Sequence, residues 1–427
     1  MNAVKLFPFT GGELRIGGKS IRQIALRAGT PFYIYDAAIL RRQYQRLAAA
    51  LPENTFVHYS VKANPNINVA RVFGKLGAGA EVASEGELAM ALKAGFAPEK
   101  IIFAGPGKSE ADIRMAVAKK IGCINVESAA ELGRIITAAS ETKSARPVKI
   151  AFRVNLTFTG GAGEVMTGGP RKFGTDDTEL PRLIKKALAE KRVEVMGFHC
   201  FAGTQITDTD TLGAMYRGFA QWAATTAAKL GMTVKTLNFG GGLGIPFGEK
   251  DRELDVKKLG AVIRDVRREI LSTPNFAQTR LLLEPGRYLA GPAGIYVSRV
   301  TDVKTSRGRL YAITDGGIHH AIVPIALNKN YPAAILTKTK GRKVVECTVA
   351  GPLCASADQF SRIIKLSSPR IGDLLGIFNS GAYGYTAGML YFLSHPLPAE
   401  VMADGARLFL IRKTARPDHG AASPERI

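Results

Sequence analysis

Cysteine is scarce in this chain. Its 427 residues hold four, Cys123, Cys200, Cys347 and Cys354, and no two form a CxxC pair. That number and spacing exclude a disulfide scaffold and a zinc ribbon, and a reducing, cytoplasmic setting is the simpler expectation. The six histidines are scattered, His319-His320 being the only adjacent pair, so no metal site is expected. The N-terminus lacks a basic stretch leading into an apolar run and a small-residue cleavage site, so no secretion signal is expected. No segment reaches ~18 apolar residues without charge, which argues against a spanning helix. Acidic residues are few, 36 against 58 basic ones, for a net charge of +22. Such an excess favours anionic substrates or partners. The bases are spread along the chain and no nucleic-acid motif accompanies them, so no nucleic-acid function is expected, and general surface charge is the plainer explanation. The 46 glycines and 21 prolines follow no fixed three-residue period, which excludes collagen.

Hydrophobic residues make up 46% and charged residues 22%, enough for a sizeable core. Strand-like runs recur near 55–59, 78–83, 100–104, 122–126, 148–154, 192–199, 233–239 and 280–284. Between most of them lie stretches rich in Ala, Leu, Lys and Glu, at 65–76, 85–95, 109–119, 128–139, 178–190, 208–230 and 255–271, as helices require. Eight βα units predict an α/β fold with a closed (β/α)8 barrel of the TIM type; an open doubly wound sheet is the alternative. Past residue 285 short Val/Ile runs near 293–301, 309–315, 343–350, 373–378 and 404–411 predict a separate C-terminal β domain, barrel or sandwich-like. The expected boundaries are N-terminal strands at 1–30 that contribute to the β domain, the barrel at 31–283, the β domain at 284–412 and a frayed tail at 413–427. Asp36 is placed to cap a helix running to residue 50. Trp222, Cys123 and Cys347 read as packing residues.

In a barrel, ligands collect where strands end. The residues that follow the strand runs are Lys62 after the first, Glu81 after the second and Arg153 after the fifth. His199, Cys200, Phe201 and Thr204 follow the sixth, Gly240-Gly241-Gly242 the seventh, and Glu284 and Arg287 the eighth. Three glycines bring backbone N–H groups close to one anion, and the expected guest is a phosphate; a tight βα turn is the alternative. Burial of Lys62 in its apolar context would favour a neutral amine able to attack an aldehyde; a surface or ion-paired lysine is the alternative. Glu284 could hold a proton on a pyridine nitrogen, or pair with Arg287. Together a lysine amine, a phosphate nest and the Glu284 carboxylate point to pyridoxal 5′-phosphate.

These residues resemble the fold-type III pyridoxal phosphate decarboxylases, the group of diaminopimelate and ornithine decarboxylases. The resemblance covers roughly residues 25–410. Its motifs, in order, are Tyr59-Ser-Val-Lys-Ala-Asn64, Ser84-Glu-Gly-Glu-Leu88, Lys172-Phe-Gly174, Gly203-Thr-Gln205, Gly240-Gly-Gly242, Glu284-Pro-Gly-Arg287, Asp315-Gly-Gly317, Gly351-Pro-Leu-Cys354 and Gly381-Ala-Tyr-Gly384. The resemblance implies an amino acid carboxy-lyase in which Lys62 holds the cofactor and Glu284 faces the ring nitrogen. Gly240, Gly241, Gly242, Thr204 and Tyr383 would contact the phosphate, with Arg287 near phosphate or substrate carboxylate. Asp315 and Cys354 would reach the active site of a second copy in a head-to-tail homodimer, and the loop at Cys354 would reprotonate the carbanion left by carbon dioxide.

Four departures bear on the substrate. Phe201 stands where the family stacks a histidine on the pyridine ring, and His199 matches an earlier histidine of that loop. Val323 precedes Pro324 where diaminopimelate decarboxylases carry an arginine for a substrate carboxylate, a fork that valine cannot replace. Ala355 follows Cys354 where a glutamate or aspartate reads the distal amine. The glycine-rich stretch 155–170 contains Met166. With Phe201 and Phe392-Leu-Ser-His-Pro396 it is similar to a branch associated with exosortase and polysaccharide loci, which also holds an enzyme acting on glutamate tethered to an acyl carrier protein. The expected substrate is a small L-amino acid or an aminoacyl group on an acidic carrier. Meso-diaminopimelate, or ornithine, lysine or arginine, is the alternative, and a noncatalytic cofactor-binding barrel is a further one.

Overall fold

In this computed structural model the described residues are 3–142, 146–156, 164–165, 167–248 and 251–417. They group into two compact units: Leu40–Ile245 with Arg252–Leu289, and Met1–Ile39 with Pro246–Asp251 and Ala290–Ile427.

The first unit is the barrel. Its eight strands are Thr55–Ser60, Gly79–Val82, Ile101–Phe103, Cys123–Val126, Val148–Asn155, Val193–His199, Thr236–Asn238 and Arg280–Leu283. Each pairs in parallel with its neighbours, and the eighth returns to the first, Leu281 opposite Thr55 and Leu283 opposite Val57, so the sheet closes. The short apolar runs Ile101-Ile102-Phe103 and Leu281-Leu282-Leu283 are buried throughout, as strands covered on both faces must be. Helices cover the outside at Ile67–Lys75, Glu85–Ala94, Glu110–Ala118, Ala129–Glu141, Leu180–Leu188, Thr209–Leu230 and Val256–Leu271. Their starts are set by side-chain oxygens that accept early backbone N–H groups: Ser84, Ser109, Ser128, Asp208 and Asp255. Each cap contributes about 1 kcal/mol. Trp222 packs at ring-centroid distances of 5.1 Å from Phe198 and 6.3 Å from Phe219.

In the second unit the long strand Gly294–Ser306 is the spine of a mixed sheet. Its first half pairs antiparallel with Phe32–Asp36 and Leu374–Phe378, its second half with Arg309–Thr314. Val344–Ala350 runs parallel to Arg309–Thr314 and turns back as Gln359–Ser367. Beyond Phe32–Asp36 lie Ala399–Asp404 and Arg407–Arg412.

Several boundaries differ from the sequence reading. Phe32-Tyr33-Ile34-Tyr35 is fully buried, but in the middle of the β sheet, so the barrel unit begins at Leu40 rather than at 31. The strands within residues 1–30, Phe9–Thr10, Glu13–Ile16 and Lys19–Ser20, fall in the β unit and pair there as a small sheet of their own. Glu284 and Arg287 fall in the barrel unit, which runs to Leu289 and not to 283. Asp36 Oδ1 accepts from the Ala38 and Ile39 amides at the start of Ala37–Ala50, which makes it the expected cap. Strand Gln359–Ser367 was not anticipated, although Phe360, Ile364 and Leu366 show its alternation. At the start of the expected tail the Leu397 amide donates to Ala415 O at 2.7 Å and Thr414 Oγ1 to Leu397 O at 2.7 Å, and residues 418–427 lie outside the described residues. Among the described residues no helix is long and apolar enough to cross a membrane, and no three His, Cys, Asp or Glu side chains form a metal-ligand group.

Candidate active site

The C-terminal ends of the barrel strands gather one set of polar groups. Lys62 sits on the turn Val61–Ala63 that follows the first strand. Its Nζ donates to both Glu81 oxygens, at 2.8 and 3.0 Å. Glu81 ends the pairing of the second strand with the first and is 1% exposed, and Ser60 Oγ donates to its Oε2. The lysine side chain is 46% exposed. It is therefore ion-paired and open to solvent, which corrects the expectation of a buried amine freed by desolvation: a carboxylate clamp, and not an apolar wall, fixes this nitrogen.

Glu284 lies just past the eighth strand and is buried. Asn238, at the end of the seventh strand, donates Nδ2 to Oε1 at 2.7 Å, and His199 Nε2, at the end of the sixth, lies 3.2 Å from Oε2. Burial pushes this carboxyl up. The His199 imidazole, the Asn238 amide and the Lys62 ammonium outweigh it and hold the group at about 2. Glu284 is thus a buried carboxylate that stays charged because its neighbours replace water.

The glycine run sits between these groups. Gly240 at φ 66° and Gly242 at φ 94° occupy the left-handed region that side chains avoid. A Cβ at Gly240 would stand 3.0 Å from the Phe201 ring, and Cβ atoms at Gly241 and Gly242 3.6 and 3.7 Å from it. The Phe201 ring therefore lies along the run, with Cδ2 and Cε2 toward it. The Gly240 N–H donates to Asn238 Oδ1 at 2.9 Å, so this amide is already engaged; among the described residues no protein acceptor is recorded for the amides of Gly241 and Gly242. Two amides, rather than three, are open to an anion.

Arg153 on the fifth strand points into a buried pair, Nη1 to Glu127 Oε1 at 3.0 Å, with its guanidinium 4.6 Å from the Phe173 ring centroid. Glu127 also accepts from the amides of Gly105 and Gly174, both at 2.9 Å, so one carboxylate ties the Lys172-Phe-Gly174 segment to the barrel. Thr204 pairs with Glu164 in a two-stranded ribbon beside the sixth-strand loop. Arg287 opens the short helix Arg287–Ala290. Met166 lies outside the described residues. Asp315, Val323, Cys354, Ala355 and Tyr383 belong to the other unit. Within it Asp315 Oδ1 accepts from the Arg299 amide at 2.8 Å, Val323 is buried, Cys354 is exposed and Tyr383 adopts φ 54°.

Sequence reasoning missed Ser60, Asn238, Glu127 and Glu87. Ser60 and Asn238 do lie inside or beside the motifs, two residues before Lys62 and Gly240, and that adjacency was the available signal. Glu87 accepts from the Ala83 amide at 2.8 Å. Burial pushes its carboxyl up to about 7, with the Ala83 amide opposing, Glu81 adding and Lys62 opposing. A carboxyl raised on folding stabilises fully below its ordinary 4.5 and loses that contribution as pH rises through 7. Glu87→Gln is expected to remove this loss. Discounted for partial exposure, wild type should lose about 1 kcal/mol relative to the variant over that window, read by urea unfolding at several pH values. Parallel pH profiles for the two proteins would refute it.

The arrangement fits a pyridoxal group on three observations: an anchored, solvent-reachable amine, a buried carboxylate held ionised, and bare amides of the glycine run beside an aromatic ring. Comparison with known proteins agrees. Residues 37–291 match the family model described as pyridoxal-dependent decarboxylase, pyridoxal binding domain. The chain belongs to this family: it is a pyridoxal 5′-phosphate-dependent decarboxylase, a carboxy-lyase. Among individual proteins, it is 34% identical over 93% of its length to the L-glutamyl-[BtrI acyl-carrier protein] decarboxylase of Niallia circulans, covering 94% of that protein. It is 32% identical to the diaminopimelate decarboxylase of Aquifex aeolicus, with 96% and 95% of the two chains covered. Six further relatives, 29–31% identical, bear the latter name. The crystal structure of diaminopimelate decarboxylase from M. jannaschii with L-lysine superposes with a TM-score of 0.90 at 28% identity, over 99% of each chain.

Proposed function

We propose that the substrate is an L-amino acid, or an aminoacyl group on an acidic carrier protein, whose far end carries no charge that this chain must read. The observation that carries this reading is the pair Val323 and Ala355. Neither can hold a carboxylate or an ammonium ion, where the family resemblance puts an arginine and an acid. The 34% identity to an enzyme named for carrier-bound glutamate supports it, and a net charge of +22 suits an acidic carrier. Meso-diaminopimelate is the second reading, favoured by the name that seven of the relatives bear.

In this proposal Lys62 holds the cofactor, with Glu81 and Ser60 orienting its nitrogen. The amides of Gly241 and Gly242 take the phosphate, with Thr204 and Arg287 as further contacts, and Phe201 covers the ring in place of a histidine. An offset aromatic contact supplies the packing but no proton. Glu284, kept charged by His199 and Asn238, holds a proton on the ring nitrogen. The bound cofactor supplies the electron sink for the pair left behind by carbon dioxide. Cys354 Sγ returns a proton to the substrate α-carbon. We infer a homodimer in which Cys354 and Asp315 of each copy complete the site of the other.

A panel of free amino acids and glutamyl-carrier protein, with products followed by mass spectrometry, tests the substrate. Carrier-bound glutamate is expected to exceed meso-diaminopimelate in kcat/KM by roughly 10³-fold, since a buried charged group without a partner is rejected strongly. Efficient lysine formation from meso-diaminopimelate would decide for the second reading.

A further inference from the structure

The connection between strands Val344–Ala350 and Gln359–Ser367 carries Cys354, and a single side chain organises it. Asp358, the last residue of this connection, is 3% exposed. Its Oδ2 accepts from the Leu353 amide at 2.8 Å, immediately before the cysteine. Its Oδ1 accepts from the Ile318 amide at 2.8 Å, in the loop that follows Arg309–Thr314. Its own backbone closes the connection: the Gly351 amide donates to Asp358 O at 3.1 Å, and the Asp358 amide to Ala355 O at 3.0 Å. The carboxylate also explains two motif glycines. A Cβ on either Gly317 or Gly351 would come within 2.6 Å of an Asp358 oxygen. Asp315-Gly-Gly317 and Gly351-Pro-Leu-Cys354 are therefore two halves of one cradle around this group. Thr314 Oγ1 reinforces the junction, 2.7 Å from Gly316 O and 3.2 Å from Ala350 O.

We propose that Asp358 is the positioning residue for Cys354: its two oxygens clamp the thiol-bearing connection to the Asp-Gly-Gly loop, and so fix where the thiol is presented. The clamp stands on its own geometry; its effect on turnover rests on the reading that Cys354 returns the proton. An ionised carboxylate is acceptor-only and suits two amide donors. Asparagine has the same shape but turns an NH₂ toward one of them.

Thiol labelling of the holoenzyme reads the clamp, with the dimer fraction measured alongside because the inferred dimer places Cys354 at the neighbouring site. Cys354 is the exposed thiol, while burial pushes the Cys123 and Cys200 thiols up to about 12 and that of Cys347 up to about 11. Asp358→Asn is expected to raise the iodoacetamide rate at Cys354 about tenfold, the equivalent of one lost hydrogen bond to a charged group. Hydrogen exchange at the Leu353 or Ile318 amide should accelerate similarly. The kcat should fall with KM nearly unchanged, and an aldehyde side product should appear as the proton is misplaced, matched mole for mole by cofactor that has kept the amino group, with water supplying the aldehyde oxygen. A folded variant with unchanged labelling and unchanged exchange at both amides would overturn the proposal. Altered labelling with unaltered products keeps the clamp and removes Cys354 from the chemistry. If Asp358→Asn does not fold, wild-type exchange decides. The Leu353 and Ile318 amides should exchange at least about tenfold more slowly than that of Ala355, and equal rates would refute the clamp.

Discussion

Lys62→Ala is expected to remove the visible absorbance of lysine-bound cofactor and to lower turnover by on the order of 10⁴-fold or more, as loss of a covalent attachment residue does. The reason lies in the contrast between two lysines. Lys108 is buried and its ammonium has three acceptors, Gly105 O and Asn125 O at 2.7 Å and Glu131 Oε1 at 2.6 Å, so its three donors are used in holding the barrel together. Lys62 is half-exposed, and its ammonium pairs with Glu81. Its exposure leaves the nitrogen reachable by a carbonyl group, which the enclosed ammonium of Lys108 is not. Because alanine strands the buried Glu81 beside Ser60, part of the loss could come from destabilisation. Lys62→Arg separates the effects: it keeps a cation for Glu81 and should still lose the absorbance. Retention of covalently held cofactor by either variant would contradict the assignment.

Glu284→Gln is expected to keep the cofactor absorbance and to lower kcat by roughly 10²–10³-fold, the scale of removing one preorganised electrostatic group. Glutamine fills the same space and can still accept from Asn238. It presents no negative charge to the ring nitrogen, and its amide hydrogens point at His199. Since the native carboxyl is held at about 2, the charge is present at every working pH, and no change of pH should restore the variant. Pre-steady-state absorbance with substrate separates the steps: attachment should proceed and the later decay should slow. A variant within about threefold of wild type would show that another group holds the ring proton.

The two experiments divide the site into an anchor and a charge, and that division was only partly legible beforehand. The βα alternation was, because a strand buried on both faces and a capped amphipathic helix impose different periods on the chain. Lys62, Glu81, Gly240 to Gly242 and Glu284 could be picked out because each follows such a strand. Their partners could not. Asn238 and Glu284 are 46 residues apart, and Ser60 and Glu81 are 21 apart; nothing in the periodicity assigns one to the other. The buried-amine expectation for Lys62 failed for the same reason, since local apolar neighbours do not reveal a carboxylate brought in by the next strand. Phe32–Asp36 fell inside the expected barrel bounds because an apolar strand carries no mark of the neighbours it will have.

By itself, then, the order of residue types determined the barrel, the chemical kinds available at its mouth, and the absence of charge at positions 323 and 355. Tertiary structure alone decided that Glu81 clamps the lysine, that His199 and Asn238 keep Glu284 ionised, and that Asp358 joins two distant loops. Such matters turn on separations of about 3 Å between groups far apart in the chain, and hydrogen bonding and desolvation respond to those separations rather than to sequence position.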